Sequence, residues 1–224
     1  MSHLSRRSVL LGTAAVCGLG RLASAADFWK QKEVADWTEE EIEKFITRSP
    51  WAKEANVVGS VESGERSETP RGGGMGRRRG GGGERGGPVM LKGTVRWQSA
   101  QIMLAALKTS LPEAFKDHYV IAVSGLPVAA SGRRESGSGS NTEDRLEDLR
   151  NMTTLRTTSQ EPAGPDLVQR TKESAGPYLF GFPKETLTIG AADKEAVFAL
   201  EAPVFSVRTS FSLKEMIYHG ALDV

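Results

Sequence analysis

The sequence contains very little cysteine and histidine, and this limits the chemistry available to the protein. Its 224 residues include one cysteine and three histidines. Cys17 lies in an N-terminal segment that we expect to be removed, so the mature chain has no thiol for a disulfide, a nucleophile or a metal–sulfur site. The remaining histidines, His118 and His219, show no metal-ligand spacing. We therefore predict no metal, no cofactor and no assignable catalytic residue.

Long hydrophobic runs are also scarce. The apolar stretch that begins at residue 9 and ends near residue 19 is too short for a stable membrane span, and it is rich in glycine and alanine. We therefore predict no transmembrane span. The whole chain is 38% hydrophobic and 25% charged, which is ordinary for a globular protein.

The net charge of +1 conceals an uneven distribution. Residues 1–25 contain three arginines and no acidic residue, which leaves 26 basic and 28 acidic residues for the rest of the chain. Residues 64–88 hold six arginines and three glutamates, so a mildly acidic body carries a basic insert. A body of this charge requires no polyanionic partner, and we expect no specific binding to nucleic acid.

Residues 1–25 have the features of an export signal. Arg6 and Arg7 are adjacent and precede a weakly hydrophobic core, as in twin-arginine signals. The triplet Ala-Ser-Ala at residues 23–25 has a small residue at each end, which predicts cleavage between Ala25 and Ala26. The alternative is a general secretory signal in which two arginines are adjacent by chance. Both alternatives predict an exported protein that is periplasmic or secreted.

The mature chain, residues 26–224, is expected to form a single domain organised around one strand. Residues 120–123 are a continuous, mostly β-branched apolar run, and Gly125 and Pro127 end it. Such a run is typical of a strand that is buried on both of its faces. The other apolar segments are amphipathic and would pack against this strand.

Two helices are expected in the first half of the domain. Thr38 and Glu41 have the spacing of a capping box, which predicts a helix over residues 39–48. Ser99 is a suitable N-cap for a second helix over residues 100–109. Both segments place apolar side chains at helical spacing, so we expect each helix to pack one face against the sheet.

Strand patterns occur early in the domain and dominate its last third. Residues 57–63 and 92–99 predict a hairpin that carries the basic insert. Residues 204–213 alternate between apolar and polar side chains, as in a strand with one buried face. The pattern as a whole predicts an α+β fold, with early helices packed on a mainly antiparallel sheet and a C-terminal strand meander. The other C-terminal strands are expected at residues 178–182, 196–201 and 216–224.

Two segments of low complexity are expected to lack packed structure. Eleven of the 25 residues in 64–88 are glycine, and residues 131–141 form a second loop rich in glycine and serine. So few apolar groups cannot offset the entropy lost on ordering, so we predict a disordered insert and a flexible loop. Arg77, Arg78 and Arg79 would suit an anionic envelope surface, whereas binding to single-stranded nucleic acid lacks the aromatic residues needed for stacking. The favoured interpretation is an expanded insert without a binding role.

Ser124 directly follows the central strand, as the nucleophilic serine of one hydrolase class does. The G-x-S-x-G pattern of that class is not met, because Ala122 replaces the first glycine and Pro127 follows instead of a helix. His118 lies six residues upstream on the same strand, too far away to contact the Ser124 hydroxyl. His219 could act as its base only if a fold that the sequence does not reveal brought the two side chains together. A turn at the end of the strand is the favoured interpretation.

The four tryptophans have a structural and a functional interpretation. Trp37 directly precedes the capping box and Trp97 lies within a strand pattern, which favours packing in the core. Trp29 and Trp51 are less well explained, and if exposed they would stack on sugars or anchor a partner. Structural packing is the favoured interpretation for all four.

Several short sequence segments resemble a group of secreted bacterial proteins of unassigned function. They are WTEEE at 37–41, SPWAK at 49–53, VRW at 95–97, VSGLP at 123–127 and FSLKEMIY at 211–218. The resemblance implies export and a single domain, and it transfers no catalytic residue.

We expect a non-catalytic binding or interaction domain of the cell envelope. Its partner would be an envelope protein or an anionic surface. The alternative is a small exported hydrolase or ligand-binding enzyme, which would need a pocket that brings Ser124 or His219 together with a carboxylate.

Overall fold

The computed structural model describes residues 27–59, 89–126, 142–171, 176–190, 192–203 and 205–224. Several predictions lie outside these residues and stay predictions. They concern Arg6 and Arg7, the cleavage between Ala25 and Ala26, the insert 64–88 with Arg77, Arg78 and Arg79, and the loop 131–141.

Three α-helices and ten strands form the described part of the chain. Short 3-10 turns precede α1, follow α2 and follow β8. The helices are α1 Glu39–Thr47, α2 Gln101–Leu107 and α3 Thr142–Asn151. The strands are β1 Ala52–Gly59, β2 Val89–Trp97, β3 His118–Ser124, β4 Thr153–Thr157, β5 Leu167–Arg170, β6 Tyr178–Pro183, β7 Glu195–Ala202, β8 Phe205–Ser212, β9 Ile217–Tyr218 and β10 Ala221–Leu222.

Eight strands form one antiparallel sheet in the order β4-β7-β8-β1-β2-β3-β6-β5. Strands β9 and β10 form a separate two-stranded hairpin. Helix α1 packs on β1 and β2, and α3 packs on β5. The predicted α+β class, with early helices, a mainly antiparallel sheet and C-terminal strands, is confirmed.

The sheet curls strongly around its own core. Phe180 on β6 and Phe198 on β7 lie five strand positions apart, a separation of about 24 Å in a flat sheet. Their ring centroids are only 5.6 Å apart. The two halves of the sheet therefore face each other, and one continuous set of aromatic and aliphatic side chains fills the space between them.

Strand β3 is buried on both faces, as its sequence predicts. Ile121 and Val123 point into the main core, together with Trp97 from β2. Val120 and Ala122 point the other way into a smaller cluster that includes Phe115 and Leu179. The strand lies between β2 and β6 in the interior of the sheet, where an uninterrupted apolar run is favoured.

The capping box of α1 is formed as predicted. The Thr38 hydroxyl accepts a hydrogen bond from the Glu41 amide at 3.2 Å, and the Glu41 carboxylate accepts one from the Thr38 amide at 2.9 Å. The helix buries Phe45 and ends at Thr47, one residue earlier than expected.

The predicted cap of α2 is wrong. The Ser99 hydroxyl accepts a hydrogen bond from the Val120 amide at 3.0 Å and does not bind the helix. Instead, the Asp223 carboxylate accepts hydrogen bonds from the Gln101 and Ile102 amides at 2.7 and 3.0 Å. A residue far along the chain therefore caps α2, which is shorter than predicted and ends at Leu107.

The hairpin that carries the insert is confirmed. Strands β1 and β2 pair antiparallel from Ala52 opposite Arg96 to Gly59 opposite Val89. The C-terminal strands are also antiparallel, but they are spread over both halves of the sheet. Strand β6 pairs with β3 and β5, whereas β7 pairs with β4 and β8.

Strand β4 has no counterpart among the strands expected from the sequence. Its residues alternate between buried and exposed, and it pairs with β7 along its full length. The segment 216–224, expected to be one strand, forms the hairpin of β9 and β10 instead.

Candidate binding groove

Aromatic side chains join the first described residues to α1 and to the start of β1. Phe28 contacts Trp37 with ring centroids 5.0 Å apart, and Trp29 contacts Trp51 at 6.5 Å. Phe45 lies 5.5 Å from Trp51. All four tryptophans are buried, so their predicted structural packing is confirmed.

The C-terminal segment is attached to this cluster. The Trp51 indole donates a hydrogen bond to the Asp223 carbonyl at 2.7 Å, and the Asp223 carboxylate caps α2. The residues around the 3-10 turns Phe28–Lys30 and Val34–Asp36 therefore lie beside the hairpin of β9 and β10.

A cavity of about 560 Å³ lies between these two segments. Residues 29–33 and Asp36 line one side, and residues 217–220 line the other. We call this cavity the hairpin groove. Its volume is within the range of small-ligand sites, and it is open to solvent along exposed Lys30, Lys32 and His219.

One wall of the hairpin groove is a tight two-residue turn. Ile217 pairs with Leu222 and Tyr218 pairs with Ala221, while His219 and Gly220 both have positive φ, at 48° and 80°. Positive φ at both central residues is typical of the type I′ turn, which matches the twist of a hairpin.

This turn places an imidazole against a phenol ring and leaves an aliphatic side chain in solvent. The His219 and Tyr218 ring centroids are 4.0 Å apart. Ile217 is 40% exposed, which is unusual among the large hydrophobic side chains of the described chain. The wall therefore offers an apolar and aromatic surface to a ligand.

The other wall contributes charge. Lys30 pairs with Asp27 at 3.1 Å, and Lys32 pairs with Glu41 at 2.5 Å. Glu33 lines the groove without an ion pair to any described residue. With both lysines neutralised, the local balance is acidic.

The acidic balance also affects Tyr218. Burial, followed by the negative charges of Glu33 and Asp223, raises the pKa of its phenol. Asp36 adds a second carboxylate that has no ion pair within the described ranges. A cationic group in the groove would be attracted by both carboxylates and by the faces of the rings.

Trp29 adds an unused hydrogen-bond donor. It is 6% exposed, and its indole nitrogen is buried without a hydrogen-bond partner among the described residues. Trp29 lines the hairpin groove and also a second cavity of about 350 Å³ with Arg48 and Lys53. A buried donor without a partner is uncommon, and a ligand carbonyl is one group that would satisfy it.

The structure does not bring Ser124 to either histidine. The Ser124 hydroxyl donates to the Thr94 carbonyl at 3.5 Å, and the His219 ring contacts the Tyr218 ring in the hairpin turn. His118 begins the strand that Ser124 ends, about 20 Å away at the usual rise per residue.

His118 has a partner that the sequence did not suggest. Its Nε2 lies 3.0 Å from the Asp166 carboxylate, and its Nδ1 is buried without a hydrogen-bond partner in the part of the chain that the structure describes. Asp166 directly precedes β5, which pairs with β6 beside β3, so sheet topology creates this pair. Since 48 residues separate the two side chains in the sequence, no local motif predicts the contact.

No group of three or more histidine, cysteine, aspartate or glutamate side chains among the described residues is arranged to hold a metal ion. None of the helices described is long and apolar enough to cross a bilayer.

Comparison with protein-family models, with curated proteins and with solved structures found no match to this chain.

Proposed function

We propose that this protein is an exported, non-catalytic binding domain of the cell envelope. We further propose that the hairpin groove binds a basic segment of a partner protein that also carries an aliphatic side chain. The proposal of export comes from the sequence of residues 1–25, including Arg6 and Arg7.

The observation that carries the binding role is the combination of surfaces in one groove. Exposed Ile217 and the contacting rings of Tyr218 and His219 supply apolar and aromatic area, and Glu33 and Asp36 supply carboxylates without ion pairs in the described chain. Apolar burial favours association, and complementary charge selects a basic partner over an acidic one. Lysine and arginine side chains carry both a cation and an aliphatic stem, so they suit such a groove.

The test is binding to synthetic peptides of alternating lysine and leucine, compared with peptides in which glutamate replaces lysine. Calorimetry should detect binding of the basic peptides and no binding of the acidic ones. The double variant Glu33→Gln, Asp36→Asn should bind them about three- to tenfold more weakly, as expected for the loss of two partly exposed charge contacts.

Glu195→Gln is the matched control, because Glu195 is an exposed carboxylate at the start of β7, away from the groove. It should bind as the native chain does. Equal affinity for basic and acidic peptides, or equal losses in the double variant and the control, would overturn the proposal.

The second candidate function is a small exported hydrolase, and the contact between His118 and Asp166 favours it. A histidine oriented by a carboxylate is one half of a base-assisted nucleophilic site. Hydrolysis of p-nitrophenyl acetate that is lost in His118→Ala and retained in His219→Ala would support this candidate. Equal rates in the two variants would exclude it for this ester.

A further inference from the structure

Arg96 lies in an unusual position on β2. Its neighbours in the strand, Val95 and Trp97, are fully buried in the main core, so its side chain leaves from the opposite face of the sheet. There it lies between Ala52 of β1 and Ala122 of β3, which are directly opposite it in the two registers and fully buried. Arg96 therefore emerges from the middle of the sheet between two small side chains.

No carboxylate of the described residues pairs with the Arg96 guanidinium. In the described part of the chain it makes no ion pair or hydrogen bond, although burial removes enough water to lower its pKa. A partly desolvated cation without an anionic partner is unfavourable, because the interactions lost with water are not replaced. Five N–H donors remain available to a ligand.

A carboxylate on the same face, that of Glu54, already has a partner. Glu54 of β1 lies opposite Thr94, two residues from Arg96 along β2. Its carboxylate binds the Arg48 guanidinium at 2.9 Å, and both side chains are mostly exposed. Glu54 therefore leaves the charge of Arg96 uncompensated.

Two hydroxyls accompany the guanidinium. Thr94 lies opposite Ser124 of β3, so both point to the same face as Arg96. Ser124 is the diagonal neighbour of Arg96 in the pairing of β2 with β3. Diagonal neighbours of this kind lie about 7–8 Å apart, a distance that a long side chain can span. The Ser124 hydroxyl is held only at 3.5 Å by the Thr94 carbonyl, at the limit of a hydrogen bond, so it can turn toward another acceptor.

We infer that Arg96, Ser124 and Thr94 form a binding site for an oxyanion on the face of the sheet opposite the main core. The guanidinium would bind two oxygens of a carboxylate or phosphate in parallel, and the Ser124 hydroxyl would donate to one of them. The position of Ser124 in the sequence resembles that of a nucleophile, but in this site its hydroxyl binds the ligand. This site is separate from the hairpin groove and does not depend on the function proposed for it.

The test is thermal unfolding of the mature protein at neutral pH in sodium phosphate, sodium acetate or sodium chloride of equal ionic strength. At least one of the two oxyanions should raise the unfolding midpoint in a saturable way, as mass action requires for a ligand that binds the folded state. Stabilisation by phosphate alone identifies a phosphate site, and stabilisation by acetate identifies a carboxylate site.

Arg96→Lys should weaken the apparent affinity about tenfold, since a lysine cannot form the two parallel bonds. Ser124→Ala should weaken it less. Arg208→Lys is the matched control, because Arg208 is an exposed arginine on the outer face of β8. A midpoint that is equal in all three salts, or an equal response in Arg96→Lys and Arg208→Lys, would overturn the inference.

Discussion

At the scale of single residues, Asp223 connects the end of the chain to the middle of the fold. Its carboxylate accepts the first amides of α2, and its carbonyl accepts the indole proton of Trp51. The Asp223 side chain is buried, so the amides it binds would have no water to replace it.

We therefore expect Asp223→Ala to lower the free energy of unfolding by about 1–3 kcal/mol, the range for a lost cap with buried donors left unpaired. Asp223→Asn keeps one acceptor and should lose less. Urea titration followed by tryptophan fluorescence measures both. A native free energy of unfolding in Asp223→Ala would show that the cap does not stabilise α2.

Residue roles of this kind were the least predictable part of the sequence. The capping box of Thr38 and Glu41 was predicted because both partners lie within four residues. The partners of Ser99, Asp223 and His118 depend on strands and turns far along the chain, so local spacing carries no signal for them. The sequence likewise gave no indication that Glu33 would lie beside Tyr218.

At the scale of elements, polar side chains connect the segment after β4 to the segment before β7. Buried Asp193 accepts hydrogen bonds from the Ser159 hydroxyl at 2.5 Å and from the Gly190 amide at 3.0 Å. The amide of Gln160 donates to the Thr188 carbonyl, and its oxygen accepts from the Thr188 amide. These side-chain contacts therefore hold together two connecting segments whose backbones are not paired as strands.

The hydrogen bond from Ser159, followed by that from Gly190, lowers the pKa of Asp193 below its ordinary value of 3.8. A lowered carboxyl pKa contributes stability that is present above the unfolded value and lost as the pH falls through the folded one. Asp193→Asn should therefore be less stable than the native chain at neutral pH, and the difference should narrow once the pH falls below 3.8.

This prediction is tested by measuring the free energy of unfolding of the native protein and of Asp193→Asn from neutral pH to below 3.8. Asp144→Asn is the control, since Asp144 is exposed on α3. A difference between native protein and Asp193→Asn that is the same at neutral and acid pH would contradict the assigned hydrogen bonds.

Elements with a strong local pattern were predicted and others were not. The apolar run of β3 and the alternation of β8 identify their strands, because each pattern is long and its period is clear. Strand β4 has only five residues, three of them threonine, so its alternation is only weakly apolar and did not indicate a strand.

At the scale of the whole molecule, the order of the strands brings the groove together. The class of the fold follows from the sequence, but the separation of β6 from β7 and the curl that brings Phe180 to Phe198 depend on packing among distant segments. The hairpin groove depends on the same long-range packing. It combines residues 29–36 with residues 217–220, which lie at opposite ends of the described chain.

Amide hydrogen exchange of the mature protein, measured with and without a saturating basic peptide of lysine and leucine, shows whether the hairpin groove is the binding site. We expect slower exchange in residues 28–37 and 216–222, where the groove lies, and little change in β4 and β5. Protection confined to other parts of the sheet, or no protection at a peptide concentration that calorimetry shows to be saturating, would contradict it.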